Sequence, residues 1–222
     1  MPQNRIPETD EGIQGEFDVA IYNRMMRRFR DKNWMETDDI IKSGVDHGLA
    51  LEIGPGPGYL GLEWLKKTDG TSLKGLDISP EMAQVAENNA REYGYLNSRV
   101  EYAVSNAQRM PYEDDMFDAV FTNGSLHEWE VTVDIFNEIF RVLKPGGMFF
   151  VSDLRRNMHP LVKWFIKMAV KPKEIRPGLT TSLNAAYTSD ELNSLLRKTR
   201  FSSFTVSQGR MGITVTGHKT ND

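Results

Sequence analysis

The sequence predicts an α/β fold, a doubly wound sheet that is mostly parallel and carries an antiparallel pair of strands at its C-terminal end. Short apolar runs, such as residues 49–54, alternate with segments in which apolar residues recur every three or four positions. This alternation of strands and helices implies right-handed crossovers and a parallel sheet that is covered on both faces. Two strand-like runs at 203–207 and 212–217 are separated by a short turn, so they can pair only as an antiparallel hairpin.

The composition fits one domain with a real core. The chain has 222 residues, of which 39% are hydrophobic and 26% are charged, and its net charge is −4. It has no cysteine, which excludes disulfide scaffolds, thiolate nucleophiles and Cys-ligated zinc. The negative charge argues against a nucleic-acid-binding protein. Neither a signal-peptide pattern nor an apolar run long enough for a membrane span is found, so we expect a cytoplasmic protein.

The elements follow in order along the chain. Residues 1–16 are polar and predict a flexible arm, and residues 17–222 predict a single domain that begins with two helices over 17–46. Ser79-Pro80 predicts an N-cap with proline at the first helical position. The predicted strands are 49–54, 72–79, 100–104, 119–121 and 148–153, and the helices between them are 59–67, about 80–93 and about 135–143, the last ended by the Lys-Pro-Gly-Gly sequence at 144–147.

The segment at about 155–187 interrupts this alternation. It fits no strand–helix repeat and follows the fifth strand, so we expect a lid-like insertion over the carboxyl ends of the strands. Thr188 and Glu191 then form a capping-box pattern that opens a short helix before the hairpin.

A glycine-rich turn connects the first strand to its helix. The sequence Glu52-Ile-Gly54-Pro-Gly56-Pro-Gly58 lets a ligand approach the backbone where a Cβ would block it, although an ordinary tight turn has the same composition. The spacing of Gly56, Gly58 and Gly61 also satisfies a dinucleotide pattern. Asp77 ends the second strand, where a carboxylate accepts hydrogen bonds from ribose hydroxyls of either an adenosine ligand or NAD.

Several further motifs stand in a fixed order. They are Asn106-Ala107-Gln108-x-Met-Pro111, Phe117-Asp118-Ala-Val-Phe-x-Asn123 and Leu143-Lys-Pro-Gly-Gly147. With the glycine turn and Asp77, this order resembles class I S-adenosylmethionine-dependent methyltransferases, whose Rossmann-like sheet has seven strands. An initial helix with Phe17, Asp18, Ala20 and Tyr22 is similar to the ubiquinone/menaquinone and sterol methyltransferase branch.

The resemblance implies a set of cofactor contacts for S-adenosyl-L-methionine and its product S-adenosyl-L-homocysteine. The glycine turn would hold the methionine part, Asp77 the ribose, and the residues after the second and third strands the adenine. Asn106 stands where the family usually has Asp, and its amide oxygen can still accept a hydrogen bond. The implied residues are Tyr22, Glu52, Gly54, Pro55, Gly56, Gly58, Asp77, Ile78, Met82, Asn106, Ala107, Gln108, Asn123 and Gly124.

The residues after the fourth strand are candidates for the acceptor site. His127 could act as a general base near neutral pH, or it could instead pack against the cofactor or cap the next helix. Glu128 and Trp129 are candidate acceptor contacts, and Trp129 could equally be a structural aromatic. The histidines show no metal-ligand spacing, so we expect no metal.

The predicted insertion is strongly basic. Residues 155–176 contain seven Lys and Arg and one Glu. Arg155 and Arg156 could grip a carboxylate or phosphate of the acceptor, or pair with surface acids, and Tyr187 could face the same pocket. The helix expected at 159–170 has an apolar face that could cover the acceptor, form an ordinary solvated element, or touch a membrane surface through 159–171.

These observations predict methyl transfer to a small molecule, either apolar or anionic. Because the methyl group of the cofactor is already activated, proximity and orientation can supply most of the catalysis. The alternatives are an NAD-dependent oxidoreductase and a non-catalytic cofactor-binding protein. No nucleic-acid partner is expected, and the sequence leaves the oligomeric state open.

Overall fold

The computed structural model describes residues 4–8, 15–171 and 173–220. The helices are α1 Glu16–Asp31, α2 Thr37–Lys42, α3 Tyr59–Lys67, α4 Pro80–Tyr93, α5 Thr132–Val142, α6 Pro160–Ala169, α7 Arg176–Ala185 and α8 Ser189–Leu196. The strands are β1 Leu49–Ile53, β2 Ser72–Asp77, β3 Val100–Val104, β4 Phe117–Asn123, β5 Leu143–Leu154, β6 Phe204–Gln208 and β7 Gly212–His218.

The strands form one seven-stranded sheet in the order β3-β2-β1-β4-β5-β7-β6. The first five strands are parallel, and β7 pairs antiparallel with both β5 and β6. The predicted fold class, parallel with an antiparallel C-terminal hairpin, is therefore confirmed. The order reverses between β1 and β4, which places a crevice at their carboxyl ends.

Helices cover both faces of the sheet. One core cluster joins α5 and α8 to the sheet through residues such as Phe136, Phe149 and Leu192. The other joins α2 and α3 to the opposite face around Trp64 and Phe121. The central strands β1 and β4 are mostly apolar and buried, because helices cover both faces of the sheet there.

Two local signals formed as predicted. The Ser79 hydroxyl accepts a hydrogen bond from the backbone N–H of Met82 at 3.2 Å, with Pro80 at the first helical position of α4. Thr188 and Glu191 form the capping box of α8, in which each side chain accepts a hydrogen bond from the other's backbone N–H.

The prediction for the Lys-Pro-Gly-Gly sequence was wrong in one respect. α5 ends at Val142, and residues 144–147 lie inside β5 rather than between a helix and a strand. The pairing of β4 with β5 shifts register here, and Gly146 donates a backbone hydrogen bond to Lys219 at 2.8 Å. The glycines therefore form an irregularity held by the chain beyond β7, which is distant in sequence.

The region predicted as an insertion contains two helices. α6 lies within the predicted helix at 159–170, whereas α7 was not predicted, because its sequence is rich in Thr and Ser and only Leu183 and Ala185 are buried. Across the described ranges, no helix has the length and apolar character to cross a lipid bilayer.

Candidate functional site

A cleft opens at the carboxyl ends of the parallel strands, beside the reversal of strand order. It contains about 770 Å³ of empty space, part of it continuous with solvent. The lining residues are Tyr22, Ile53, Gly54, Gly56, Leu76, Asp77, Ile78, Met82, Ser105, Asn106, Ala107, Gln108, Asn123, Gly124, Ser125, Glu128, Trp129, Glu130 and Ile135.

The glycine turn forms the floor of this cleft with bare backbone. Gly54 and Gly56 have φ of 62° and 52°, in the left-handed region that disfavours other residues. A Cβ on Gly54 would lie 2.8 Å from the Cβ of Ser125, and a Cβ on Gly56 would lie 3.3 Å from the Tyr22 ring. At Gly124, where φ is 78°, a Cβ would meet no atom within 4 Å. The lack of side chains at these three glycines thus leaves space in the cleft that a side chain would fill.

Asp77 links the turn to the start of α4. Its Oδ2 accepts a hydrogen bond from the N–H of Gly56 and its Oδ1 accepts one from the N–H of Ser79, both at 2.9 Å. Burial raises the pKa of Asp77, and these backbone donors oppose that rise. Each carboxylate oxygen keeps a lone pair, so Asp77 can accept further hydrogen bonds from a ligand in the cleft.

The residues predicted for the adenine end also line the cleft. Ile78 and Met82 lie after β2, and Asn106, Ala107 and Gln108 lie after β3. The side-chain oxygen of Asn106 accepts the N–H of Gln108 at 2.8 Å, which fixes the orientation of the amide. The carboxyl ends of two neighbouring strands therefore supply one wall with both apolar and polar groups.

Three predicted cofactor residues do not line the cleft. Glu52 is buried beneath α3, where a Cβ on Gly61 would lie 2.2 Å from its Oε2, and burial raises its pKa to about 8. Pro55 is buried against Gly75, and Gly58 fits under the Tyr102 hydroxyl. These three residues therefore pack on the side of the turn that faces away from the cleft.

His127 lies behind the wall of the cleft and is 7% exposed. Its Nδ1 is 2.8 Å from Oδ2 of Asp153, and its Nε2 is 3.5 Å from Oε2 of Glu8 and 3.9 Å from Oε1 of Glu128. These carboxylates raise the pKa of His127 to about 9, against the effect of burial. A pKa of about 9 favours the charged imidazolium near neutral pH and disfavours His127 as a general base, and both of its predicted roles stay predictions.

Glu128 and Trp129 line the cleft, in the region predicted to contact the acceptor. Burial raises the pKa of Glu128, the nearby His127 lowers it, and the carboxylates of Glu8, Asp153 and Asp77 raise it, which together give a pKa of about 7. The Trp129 ring packs edge-on against Phe136, with centroids 5.5 Å apart. Burial and nearby carboxylates also raise the pKa of Tyr22, so its hydroxyl stays protonated.

The other predicted acceptor residues lie outside the cleft. Arg156 is 4% exposed, forms an ion pair with Glu191 and donates to the carbonyl of Ala186, so it is used in packing α8. Arg155 bonds to Gln208 at 3.2 Å on the β6 side. The Tyr187 hydroxyl pairs with Thr132 at 2.7 Å. The two arginines therefore do not provide the predicted anion grip in this structure.

Residues 4–8 fall in the segment predicted as a flexible arm, and they make specific contacts. Arg5 donates to the carbonyls of Ala185 and His127 at 2.6 and 3.0 Å, and its guanidinium lies 4.2 Å from the Tyr187 ring centroid. Glu8 accepts a hydrogen bond from Thr181 and approaches His127. The arm thus crosses the outside of the wall that contains His127.

Sequence reasoning missed Ser105, Asp153 and the contacts of Glu8. Ser105 follows β3 and Asp153 lies near the end of β5, so the rule that ligands bind at carboxyl ends could have found both. No sequence signal indicates the approach of Glu8 to His127, because the two are distant along the chain. Among the residues with described positions, no group of three or more acids and histidines is arranged to hold a metal.

The fold and the cleft together define an α/β protein with a candidate ligand cleft at the topological switch point of the sheet. Residues 51–151 match the family model described as a methyltransferase domain. This match and the seven-stranded sheet agree with the resemblance to class I S-adenosylmethionine-dependent methyltransferases that the motif order predicted.

Similar proteins agree with that assignment. The chain is 32% identical over 104 residues to methyltransferase GfsG of Streptomyces halstedii, covering 47% of this chain and 37% of that protein. It is 27% identical over 154 residues to the ubiquinone/menaquinone biosynthesis C-methyltransferase UbiE of Acidiphilium cryptum, covering 69% of this chain and 60% of that protein. The chain thus spans less than two thirds of each of these relatives.

The fold is also similar to a solved SAM-dependent methyltransferase from Aquifex aeolicus. The TM-score is 0.68 at 20% identity, covering 91% of this chain and 98% of the other. At that identity the likeness concerns the fold.

Proposed function

We propose that this protein binds S-adenosylmethionine in the cleft and transfers its methyl group to a small molecule. The observation that carries the proposal is the bare glycine turn at positive φ, bonded to the carboxylate of Asp77 at the switch point of the sheet. When bound, the cofactor supplies a methyl group already activated on a sulfonium. The protein then needs chiefly to position two ligands and exclude water.

The cleft residues divide into three groups by position. Asp77 would accept the ribose hydroxyls, and Ile78 and Met82 would pack against the adenine. Gly54, Gly56 and Gly124 would leave room for the methionine part, beside Asn123. Tyr22 would cover the methionine part from α1, with its protonated hydroxyl as a hydrogen-bond donor. These assignments rest on which residues line the cleft and on their chemistry.

The acceptor would lie beside Glu128 and Trp129. Arg155 bonds to Gln208 and Arg156 to Glu191, both outside the cleft. The two arginines therefore no longer support the expectation of an anionic acceptor. The acids that line the cleft besides Asp77 are Glu128 and Glu130. Opposite charge favours association and like charge opposes it, so we infer a neutral or positively charged small-molecule acceptor. Glu128 is the candidate to receive a proton if the acceptor must lose one.

Calorimetric titration of the full chain tests the cofactor assignment. We expect S-adenosylhomocysteine to bind in the micromolar range and NADH to give no heat. Binding of NADH in its place would overturn the proposal in favour of the oxidoreductase alternative.

Turnover is tested with methyl-labelled S-adenosylmethionine against panels of neutral, cationic and anionic acceptors. Transfer to neutral or cationic compounds supports the inferred acceptor class, and transfer confined to anions contradicts it. Binding without transfer to any of the three panels would favour a non-catalytic cofactor-binding protein.

A further inference from the structure

Helix α6 carries a stripe of large apolar side chains that faces solvent. Leu161, Trp164, Phe165 and Met168 are 69%, 63%, 64% and 51% exposed. Their spacing of three and four residues puts them on one side of the helix. Contiguous exposed apolar side chains of this size mark an interaction surface more often than a solvated face.

The opposite side of α6 is the one that faces the protein. Val162, Ile166 and Val170 are half-buried, whereas none of the residues of α6 is fully buried. The usual arrangement of a surface helix is therefore inverted, since the larger apolar residues point outward. No residue of α6 is among those that line the cleft, so the stripe is not part of the cleft wall.

Positive charge surrounds the stripe. Residues 155–176 carry a net charge of +6, while the whole chain carries −4, so the remainder carries −10. Lys163 and Lys167 lie on the half-buried side of α6, with Lys167 nearer to the stripe, and Lys171 is exposed just after the helix. An apolar stripe with Trp and Phe, flanked by lysines, is the composition of a helix that lies in the plane of an anionic membrane interface.

A second copy of this chain fits the stripe less well. Pairing two copies through α6 would bring two +6 segments together, and like charges across an interface oppose association. A surface of anionic lipid headgroups above an apolar layer complements both features. α6 has the length of an interfacial helix and is far too short to cross the bilayer.

We propose that α6 docks this protein on an anionic lipid surface, with Leu161, Trp164, Phe165 and Met168 entering the boundary between headgroups and acyl chains. Lys163, Lys167 and Lys171 then lie among the headgroups. α6 begins shortly after β5 ends at Leu154, so docking holds the carboxyl edge of the sheet, where the cleft opens, near the lipid surface. The docking itself does not depend on the identity of the ligand in the cleft.

Co-sedimentation of the full chain with vesicles tests this proposal. We expect the protein to sediment with phosphatidylcholine vesicles that contain phosphatidylserine, to sediment much less with phosphatidylcholine alone, and to be released by salt. The double variant Trp164→Ser, Phe165→Ser should lower the partition coefficient by about tenfold or more, because two aromatic side chains no longer enter the apolar layer. Lys163→Gln with Lys167→Gln should lower it about tenfold on the anionic vesicles alone.

Trp34 provides a matched control. It is 61% exposed but lies after α1, outside the stripe, so Trp34→Ser should leave vesicle binding unchanged. In a Trp34→Phe background, where Trp64 and Trp129 are buried and Trp164 is exposed, the total tryptophan emission should shift to shorter wavelength when anionic vesicles are added. Circular dichroism of each variant establishes that it is folded.

Three results would overturn the proposal. The first is no sedimentation with anionic vesicles. The second is sedimentation that the aromatic double variant leaves unchanged. The third is a concentration-dependent dimer in analytical ultracentrifugation that this variant abolishes while no lipid binding is seen, which would assign the stripe to a second copy.

Discussion

Oδ2 of Asp153 accepts hydrogen bonds from both the backbone N–H and the ring Nδ1–H of His127, each at 2.8 Å. This double contact joins the end of β5 to the short 3₁₀ turn Leu126–Glu128 that follows β4. Since Glu8 approaches the other ring nitrogen, the protonated imidazole connects three separate parts of the chain. We therefore expect His127 to act as a structural cation beside the cleft.

The stability of the protein should depend on pH through His127. Its pKa rises from 6.5 to about 9 on folding, so its stabilising contribution is complete below about pH 6.5 and is lost as the pH rises through about 9. A shift of this size corresponds to a contribution on the order of 3 kcal/mol. We expect His127→Gln to lower the free energy of unfolding, measured with urea, substantially at about pH 6 and much less at about pH 10.

His47 provides the control for that measurement. It also pairs with a carboxylate, that of Asp46, but both side chains are exposed. His47→Gln should change the unfolding free energy by less than about 0.5 kcal/mol at either pH. A destabilisation by His127→Gln that is equal at the two pH values would show that the imidazole is not a folded-state cation.

Removing the carboxylate of Asp77 should weaken cofactor binding. Asp77→Ala deletes the acceptor for ribose hydroxyls and leaves the N–H of Gly56 without its partner. We expect a loss of about 1.5–3 kcal/mol in the affinity for S-adenosylhomocysteine, measured by calorimetry. Asp69→Ala, at an exposed acid after α3, is the control and should bind normally. Wild-type affinity in Asp77→Ala would remove Asp77 from the site.

Alanine substitutions at Gly124 and Gly70 distinguish the effect of backbone strain from the effect of contact with a ligand. Both have positive φ, 78° and 68°, and a Cβ on either would meet no protein atom within 4 Å, but Gly124 lines the cleft. Each substitution by Ala should cost about 1–2 kcal/mol of stability. Only Gly124→Ala should also reduce the affinity for S-adenosylhomocysteine, by about tenfold, since its methyl group would occupy ligand space. Equal affinities in the two variants would contradict this placement of the ligand.

Local sequence patterns predicted the parts of the structure that depend on neighbouring residues. The N-cap at Ser79 and the capping box at Thr188 are bonded within three residues, and the glycine turn follows from backbone freedom at consecutive positions. The polar residues of the cleft were found because they end strands, whose carboxyl ends must meet at one edge of a parallel sheet.

Features that depend on distant residues were not predictable in this way. Burial lowers the pKa of His127, whereas Asp153, Glu128 and Glu8 raise it, and no local pattern connects Asp153 or Glu8 to this histidine. For α6, periodicity identified an apolar face but not the direction in which it points, because the direction depends on how the whole segment packs. The ion pair of Arg156 could not be located from the sequence for a similar reason, since its partner Glu191 lies on a later helix.

Arg155 and Arg156 are adjacent but should differ in their effect on stability. Arg156 is buried against Glu191 and the carbonyl of Ala186, so Arg156→Ala leaves these acceptors without their donor and should cost on the order of 3 kcal/mol. Arg155→Ala loses only solvent-exposed hydrogen bonds and should cost less than about 1 kcal/mol. Urea unfolding of both variants checks this contrast, and similar costs would contradict the assignment of Arg156 to α8 packing.

Glu128 should make the preference for S-adenosylmethionine over S-adenosylhomocysteine depend on pH. Its pKa is about 7 and it lines the cleft, so it ionises across neutrality and then attracts the sulfonium, a positive charge that only S-adenosylmethionine carries. We expect the dissociation constant of S-adenosylhomocysteine, divided by that of S-adenosylmethionine, to rise severalfold between about pH 6 and about pH 8 in the wild type. In Glu128→Gln the ratio should stay flat, whereas in His127→Gln it should still rise. A ratio independent of pH in the wild type would place the sulfonium away from Glu128.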